Sequence, residues 1–194
     1  MTLRRTLILA AAVMATATAM TAQETPEWLR KSAISPDGTK VAFCYKGDIF
    51  TVDVNGGRAL QITTNQAYDS DPLWTPDGKR IVFSSYRAGS KDIFITSAEG
   101  GVPRRLTDYP GNETPLCVLD GGRVLFQANI QQDAVYGGFP GSPQVWQGDE
   151  KAGRPQLVTS MPLMAMSVNN SGEVIYEDYK GYEDPLRKHH QSSV

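Results

Sequence analysis

Few residues in this 194-residue chain are of types that carry chemistry on their own. The two histidines, His189 and His190, are adjacent near the end, within residues 186–194. Acyl transfer needs a nucleophile, a base beside it and a group that orients the base. No such set stands at a recognisable spacing around either histidine, and both are expected to be solvated loop residues. The two cysteines lie in strand-like runs, Cys44 within 41–45 and Cys117 within 115–119. Neither has metal-ligand spacing around it. Two separate buried thiols are expected, because a thiol packs as a small apolar group. Asp37 and Asp77 each occupy a Pro-Asp-Gly turn, where the carboxylate bonds nearby backbone amides. A structural role is therefore expected for both. No catalytic residue, cofactor-binding residue or metal ligand is assigned, and no cofactor is expected.

The N-terminus reads as an export signal. Arg4 and Arg5 form a basic start, and residues 6–20 are uncharged and alanine-rich, too short a run to span a bilayer. Cleavage is expected after Ala19 or Ala22, making residues 1–22 a signal peptide and placing the mature chain in the periplasm. Loss of residues 1–22 leaves 17 basic against 21 acidic residues, a net charge of −4. This balance argues against a nucleic-acid partner. No later apolar run approaches spanning length, so no integral membrane segment is expected after cleavage. Export permits a disulfide without requiring one.

The turns that hold Asp37 and Asp77 belong to a repeat. Asp37, Asp77, Asp120 and Asn170 are each followed six residues later by an aromatic: Phe43, Phe83, Phe126 and Tyr176. Starts of the units are 40, 43 and 50 residues apart. Within each of the first three units a second aromatic, Phe50, Phe94 or Trp146, precedes a glycine by seven residues and a threonine by thirteen. The glycines are Gly57, Gly101 and Gly153, and the threonines Thr63, Thr107 and Thr159. Four short β-type runs separated by turn residues, repeated at this period, describe the blades of a β-propeller. The expected fold class is all-β, with four-stranded antiparallel blades. Val41, Phe43, Ile81 and Phe83 are expected to alternate inward, with Ile34 and Trp74 at equivalent first-strand positions.

Blades are expected at about 29–63, 71–107, 114–159 and 164–194, together forming a partial propeller over residues 28–194. The last blade stops after its second strand, so three complete blades and a partial one make an open, incomplete ring. The chain is expected to be the N-terminal part of a longer protein, since propellers close with about four to eight blades. Open blade edges are an expected route to self-association.

Insertions fall between strands two and three. The distance between the two aromatics grows from 7 residues (Phe43 to Phe50) to 11 (Phe83 to Phe94) and 20 (Phe126 to Trp146). Such loops open on one face of the disc, where scaffolds of this kind carry recognition. Residues 131–143, with Tyr136 and Phe139, are a candidate recognition lip beside the alternative of a loop with no partner.

Trp74-Thr75-Pro76-Asp77-Gly78 with residues 81–83, Ile93-Phe94 and Gly100 to Thr107 resembles the PD40 (WD40-like) propeller repeat of the TolB and tricorn protease families. The export signal followed by such blades, with the run over residues 176–190, is similar to the start of exported tricorn-like S41 peptidases. The resemblance implies a propeller that admits or filters peptides ahead of a second propeller, a PDZ domain and a catalytic core. It supplies no catalytic residue here, because none of the core motifs is present in these residues. The expected function is that of a non-catalytic propeller portion of such a peptidase, acting in peptide or protein passage or docking. A TolB-like periplasmic interaction propeller with no enzyme attached is the alternative, and the propeller of a prolyl-oligopeptidase-type enzyme a third. A peptide or protein ligand is expected in each case.

Overall fold

The computed structural model describes residues 28–130, 143–149, 153–161, 163–169 and 173–178. The turn chemistry of the repeat is realised directly. In the first blade β1 (Arg30–Ile34), β2 (Lys40–Tyr45), β3 (Asp48–Asp53) and β4 (Leu60–Gln61) pair in sequence order as an antiparallel sheet. The second blade repeats this with β5 (Asp69–Trp74), β6 (Arg80–Ser85), β7 (Asp92–Ser97) and β8 (Arg104–Arg105). The third holds β9 (Glu113–Leu119), β10 (Arg123–Ala128), β11 (Gln144–Gly148) and β12 (Gln156–Thr159). Then β13 (Leu163–Val168) and β14 (Val174–Asp178) form a two-stranded sheet. The described residues are thus all-β blades that do not close into a ring.

The hairpins turn where the sequence places them. Asp37 accepts bonds from the Ser35 hydroxyl at 2.6 Å and the Thr39 amide at 3.0 Å, while Gly38 takes φ +73°. Asp77 does the same with the Thr75 hydroxyl at 2.5 Å and the Lys79 amide at 3.1 Å, with Gly78 at φ +67°. That left-handed φ is the reason for glycine at the position. These bonds hold the Asp37 carboxyl down at about 2 and lower that of Asp77.

Packing runs between blades. Ala42, Cys44 and Ile49 of the first blade meet Trp74, Ile81, Phe83 and Phe94 of the second. Val82, Ile93 and Ile95 of the second meet Val124, Phe126 and Trp146 of the third. Leu125 and Val145 continue the pattern toward Leu163. Each strand's period of two therefore sends alternate side chains to opposite neighbours, which excludes water from both faces of a middle blade. Trp74 Nε1 adds a 3.0 Å bond to the Ala33 carbonyl across the first junction.

The expectation for Val41 and Phe43 needs correcting. Ala42 and Cys44 are the buried residues of β2, and Val41 and Phe43 are only half-buried. Phe43 and Phe83 hold equivalent register, opposite Phe50 and Phe94. Phe83 faces the blade before it, whereas no described blade lies on that side of Phe43. Phe43 stacks instead on Phe50, with ring centroids 5.8 Å apart. Ile34 is exposed on the same account, although its register matches that of buried Trp74.

Both cysteines are free thiols, Cys44 buried in β2 and Cys117 half-buried in β9. Burial pushes the Cys44 thiol up to about 11 and raises Cys117 as well, so neither is an activated thiolate.

Candidate functional site

The strand order sorts the loops onto two ends of the blades. At one end the Asp-Gly turns meet the Gly-Gly turns: the Val54 amide bonds the Thr39 carbonyl and the Ala98 amide the Lys79 carbonyl, both at 2.9 Å. A Lys40–Glu99 contact of 2.9 Å ties neighbouring blades there. At the other end the loops between strands two and three meet the segments that lead from blade to blade. The Asp69 amide bonds the Gly47 carbonyl at 2.8 Å, and the Glu113 amide the Lys91 carbonyl at 2.7 Å. This second end, called the loop face below, carries the buried acids and the cations that pair with them.

Asp69 opens β5, is fully buried, and pairs with Arg87 at 2.7 Å. Arg87 Nε donates to the Ser85 hydroxyl at 2.9 Å, and its guanidinium lies over Phe83 and Phe94 at 5.3 and 4.9 Å from the ring centroids. The planar cation is thus held on one side by carboxylate and on the other by π-faces, an arrangement suited to arginine. Asp92, at the start of β7 and also fully buried, pairs with Arg105 at 2.9 Å and accepts from the Ser90 hydroxyl at 3.0 Å. Asp71 adopts φ +55° and collects Lys91 at 2.9 Å and Lys31 at 3.5 Å. Lys91 also donates to Thr114 of the third blade at 3.0 Å.

The threonines that close the repeat have a shared task. Thr63 accepts the Ile49 amide at 3.0 Å, and Thr107 the Ile93 amide at 2.9 Å. Each hydroxyl then donates to an acid, but to different ones. Thr63 turns back to Asp48 within its own blade at 3.1 Å. Thr107 reaches forward to Glu113 of the next blade. Glu113 is fully buried, one of its oxygens has no partner, and burial raises its carboxyl to about 7 against the lowering effect of the Thr107 hydroxyl.

Of these contacts, Lys31–Asp71, Lys91–Thr114 and Thr107–Glu113 cross between blades, and Asp69–Arg87, Asp92–Arg105 and Thr63–Asp48 each lie within one. Glu113 is fully buried and raised by desolvation, and among the described residues no group of three or more His, Cys, Asp or Glu is arranged to hold a metal ion. Asp37 and Asp77 lie at the opposite end, in their turns. Tyr136, Phe139, His189 and His190 lie outside the described residues. The acidic positions were missed by the motif search. The repeated Asp-Ile-Phe of Asp48-Ile49-Phe50 and Asp92-Ile93-Phe94 was the available signal for two of them.

Beside this braced region the loop face has a pocket of about 480 Å³, lined by Trp28, Arg30, Tyr45, Lys46 and Tyr68 among others. It lies between the start of β1, the two-residue hairpin from β2 to β3, and the segment leading into β5.

Comparison with known proteins agrees with this architecture. The uncharacterized peptidase YuxL of Bacillus subtilis is 32% identical over 108 residues, covering 50% of this chain and 16% of that protein. Tricorn protease homolog 1 of Streptomyces coelicolor is 30% identical over 102 residues, covering 52% of this chain and 10% of that protein. The chain thus spans less than a fifth of the length of either relative. The solved structure of a putative TolB from Agrobacterium tumefaciens superposes with a TM-score of 0.64 at 18% identity, covering 79% of this chain and 55% of that one. At that identity the likeness shows a shared fold. The family described as the tricorn protease N-terminal beta propeller domain matches residues 26–192. With its blades, junctions and repeat accounted for by that match, the chain belongs to the tricorn protease N-terminal β-propeller family.

Proposed function

We propose that this chain is the non-catalytic N-terminal propeller portion of an exported tricorn-like S41 serine peptidase, acting in the docking or passage of peptides and proteins. The family match over residues 26–192 is the observation that carries this reading. On this reading residues 1–22 are a cleaved leader and residues 28–194 the propeller, in the periplasm. Open blade edges give it a tendency to self-associate, measurable by sedimentation velocity.

The fold likeness to TolB structures favours a second reading, an envelope interaction propeller with no enzyme attached. The gene sequence following the Val194 codon separates the two. A further propeller, a PDZ domain and an S41-type core support the first, and a stop after two or three more blades supports the second. An α/β-hydrolase core overturns both. Export is tested by fractionating cells that express the full chain and sequencing the mature N-terminus. Cleavage after Ala19 or Ala22 is expected, and a cytoplasmic chain that retains Met1 contradicts it.

A further inference from the structure

The loop-face pocket differs in charge from everything around it. Lys31, Arg87, Lys91 and Arg105 each pair with a carboxylate. Arg30 and Lys46 have no ion pair among the described residues. Arg30 lies over the Trp28 ring at 5.2 Å and Lys46 over the Tyr45 ring at 5.3 Å. Among the described residues no Asp or Glu lines the pocket. Asp48, beside the hairpin that carries Lys46, is already taken by Gln61 at 3.0 Å and Thr63 at 3.1 Å.

The walls are built for contact. Tyr68 rests on Gly47, where an added Cβ would stand 3.3 Å from the ring, so glycine brings the hairpin against the aromatic. Lys46 at φ +50° and Gly47 at φ +91° form the two-residue turn that joins β2 to β3, which sets Lys46 at the tip of that hairpin. Trp28 is 68% exposed and Tyr68 48%, against 7% for Trp74 and 1% for Trp146. Two cations that pair with no carboxylate among the described residues, set among three aromatic rings, suit a carboxylate beside an apolar or aromatic group.

We propose that this pocket receives an acidic side chain of a docking peptide, held between Arg30 and Lys46, with a neighbouring aromatic residue of the peptide stacked against Trp28, Tyr45 and Tyr68. The assignment rests on the peptide-docking reading above. A side-chain carboxylate is favoured over a chain terminus because the two cations are long side chains, one from β1 and one from the hairpin between β2 and β3. Chain ends are commonly captured by converging backbone amides instead.

The test titrates the full chain with an N-acetylated, C-amidated pentapeptide of sequence glycine, aspartate, phenylalanine, glutamate, glycine. Calorimetry gives affinity, and iodide quenching of tryptophan fluorescence reports Trp28, the exposed tryptophan of the three. Saturable binding that shields Trp28 is expected. Arg30→Gln and Lys46→Gln should each weaken it by about tenfold or more. The same peptide with asparagine and glutamine in place of its acids should not bind, a comparison on the unaltered protein that stands if a variant misfolds. Equal binding of that neutral peptide, or binding only of a neutral peptide with a free C-terminus, overturns the proposal. Undiminished affinity in the folded double variant overturns the pocket and leaves peptide docking standing elsewhere. Absence of binding by any of these peptides overturns the pocket and counts against the docking reading as well.

Discussion

The Thr107 hydroxyl donates to Oε2 of Glu113, joining the residue that closes the second blade to the strand that opens the third. The same threonine accepts the Ile93 amide at 2.9 Å, so one side chain relays between a β7 backbone and the next blade's acid. Asp92 and Asp108 add negative charge around Glu113, and Arg105 opposes them. Burial is the largest influence and lifts the Glu113 carboxyl from 4.5 to about 7.

That shift fixes the sign of a pH dependence. Between about 4.5 and about 7 the folded chain keeps a proton on Glu113 that the unfolded chain has released. Stability therefore falls as pH rises through this window. Melting temperature measured from pH 5 to 8 should decline in the wild-type chain and be flatter in Glu113→Gln, whose neutral amide cannot titrate. Parallel profiles for the two proteins would contradict the assignment.

Equivalent aromatics should differ in cost. Phe83 is fully buried between two blades, and Phe83→Ala should destabilise by about 3–5 kcal/mol. Phe43 occupies the same repeat position half-buried, so Phe43→Ala should cost less than about half as much. Denaturant unfolding of the two variants checks the order, and equal losses would contradict it.

Among the described residues Arg87 is the cation paired with buried Asp69, at 2.7 Å. Arg87→Ala strands that carboxylate and should cost about 3–5 kcal/mol. Adding Asp69→Asn to it should recover part of the loss, because a neutral amide is cheaper to bury than an unpaired charge. A double-mutant cycle on unfolding free energy measures the coupling, and strict additivity would contradict the pairing.

Trp74 joins the first two blades through its 3.0 Å bond to the Ala33 carbonyl. Trp74→Phe keeps the ring packing and removes the donor, for an expected loss of about 1 kcal/mol. Hydrogen exchange should quicken first in β1, the strand that carries the acceptor. A loss spread evenly over all blades would contradict a junction-specific role.

Asp37 and Asp77 were legible because a Pro-Asp-Gly turn satisfies its own backbone locally, whatever packs around it. The equivalence of Ile34 with Trp74, and of Phe43 with Phe83, also follows from spacing. Their unequal burial does not, because alternation along a strand defines two faces without saying which face finds a neighbour. The junction acids were hidden for a related reason. Asp69 meets Arg87 and Asp92 meets Arg105 only once the strands of the second blade pair, and Glu113 acquires its raised carboxyl from burial between blades. Thr63 and Thr107 stood out by regular spacing, yet that spacing could not reveal that one turns inward to Asp48 and the other forward to Glu113. The pocket around Arg30 and Lys46 was missed as well. It forms at the shortest of the three loops between strands two and three, whereas length had drawn attention to the longest.

Under the proposed function this propeller binds peptides without cleaving them. The most direct test incubates the purified full chain with the blocked acidic pentapeptide, following binding by calorimetry and products by mass spectrometry in one sample. The account predicts saturable binding with the peptide recovered intact. Cleavage that co-purifies with the chain, or no binding at any concentration tested, would contradict it.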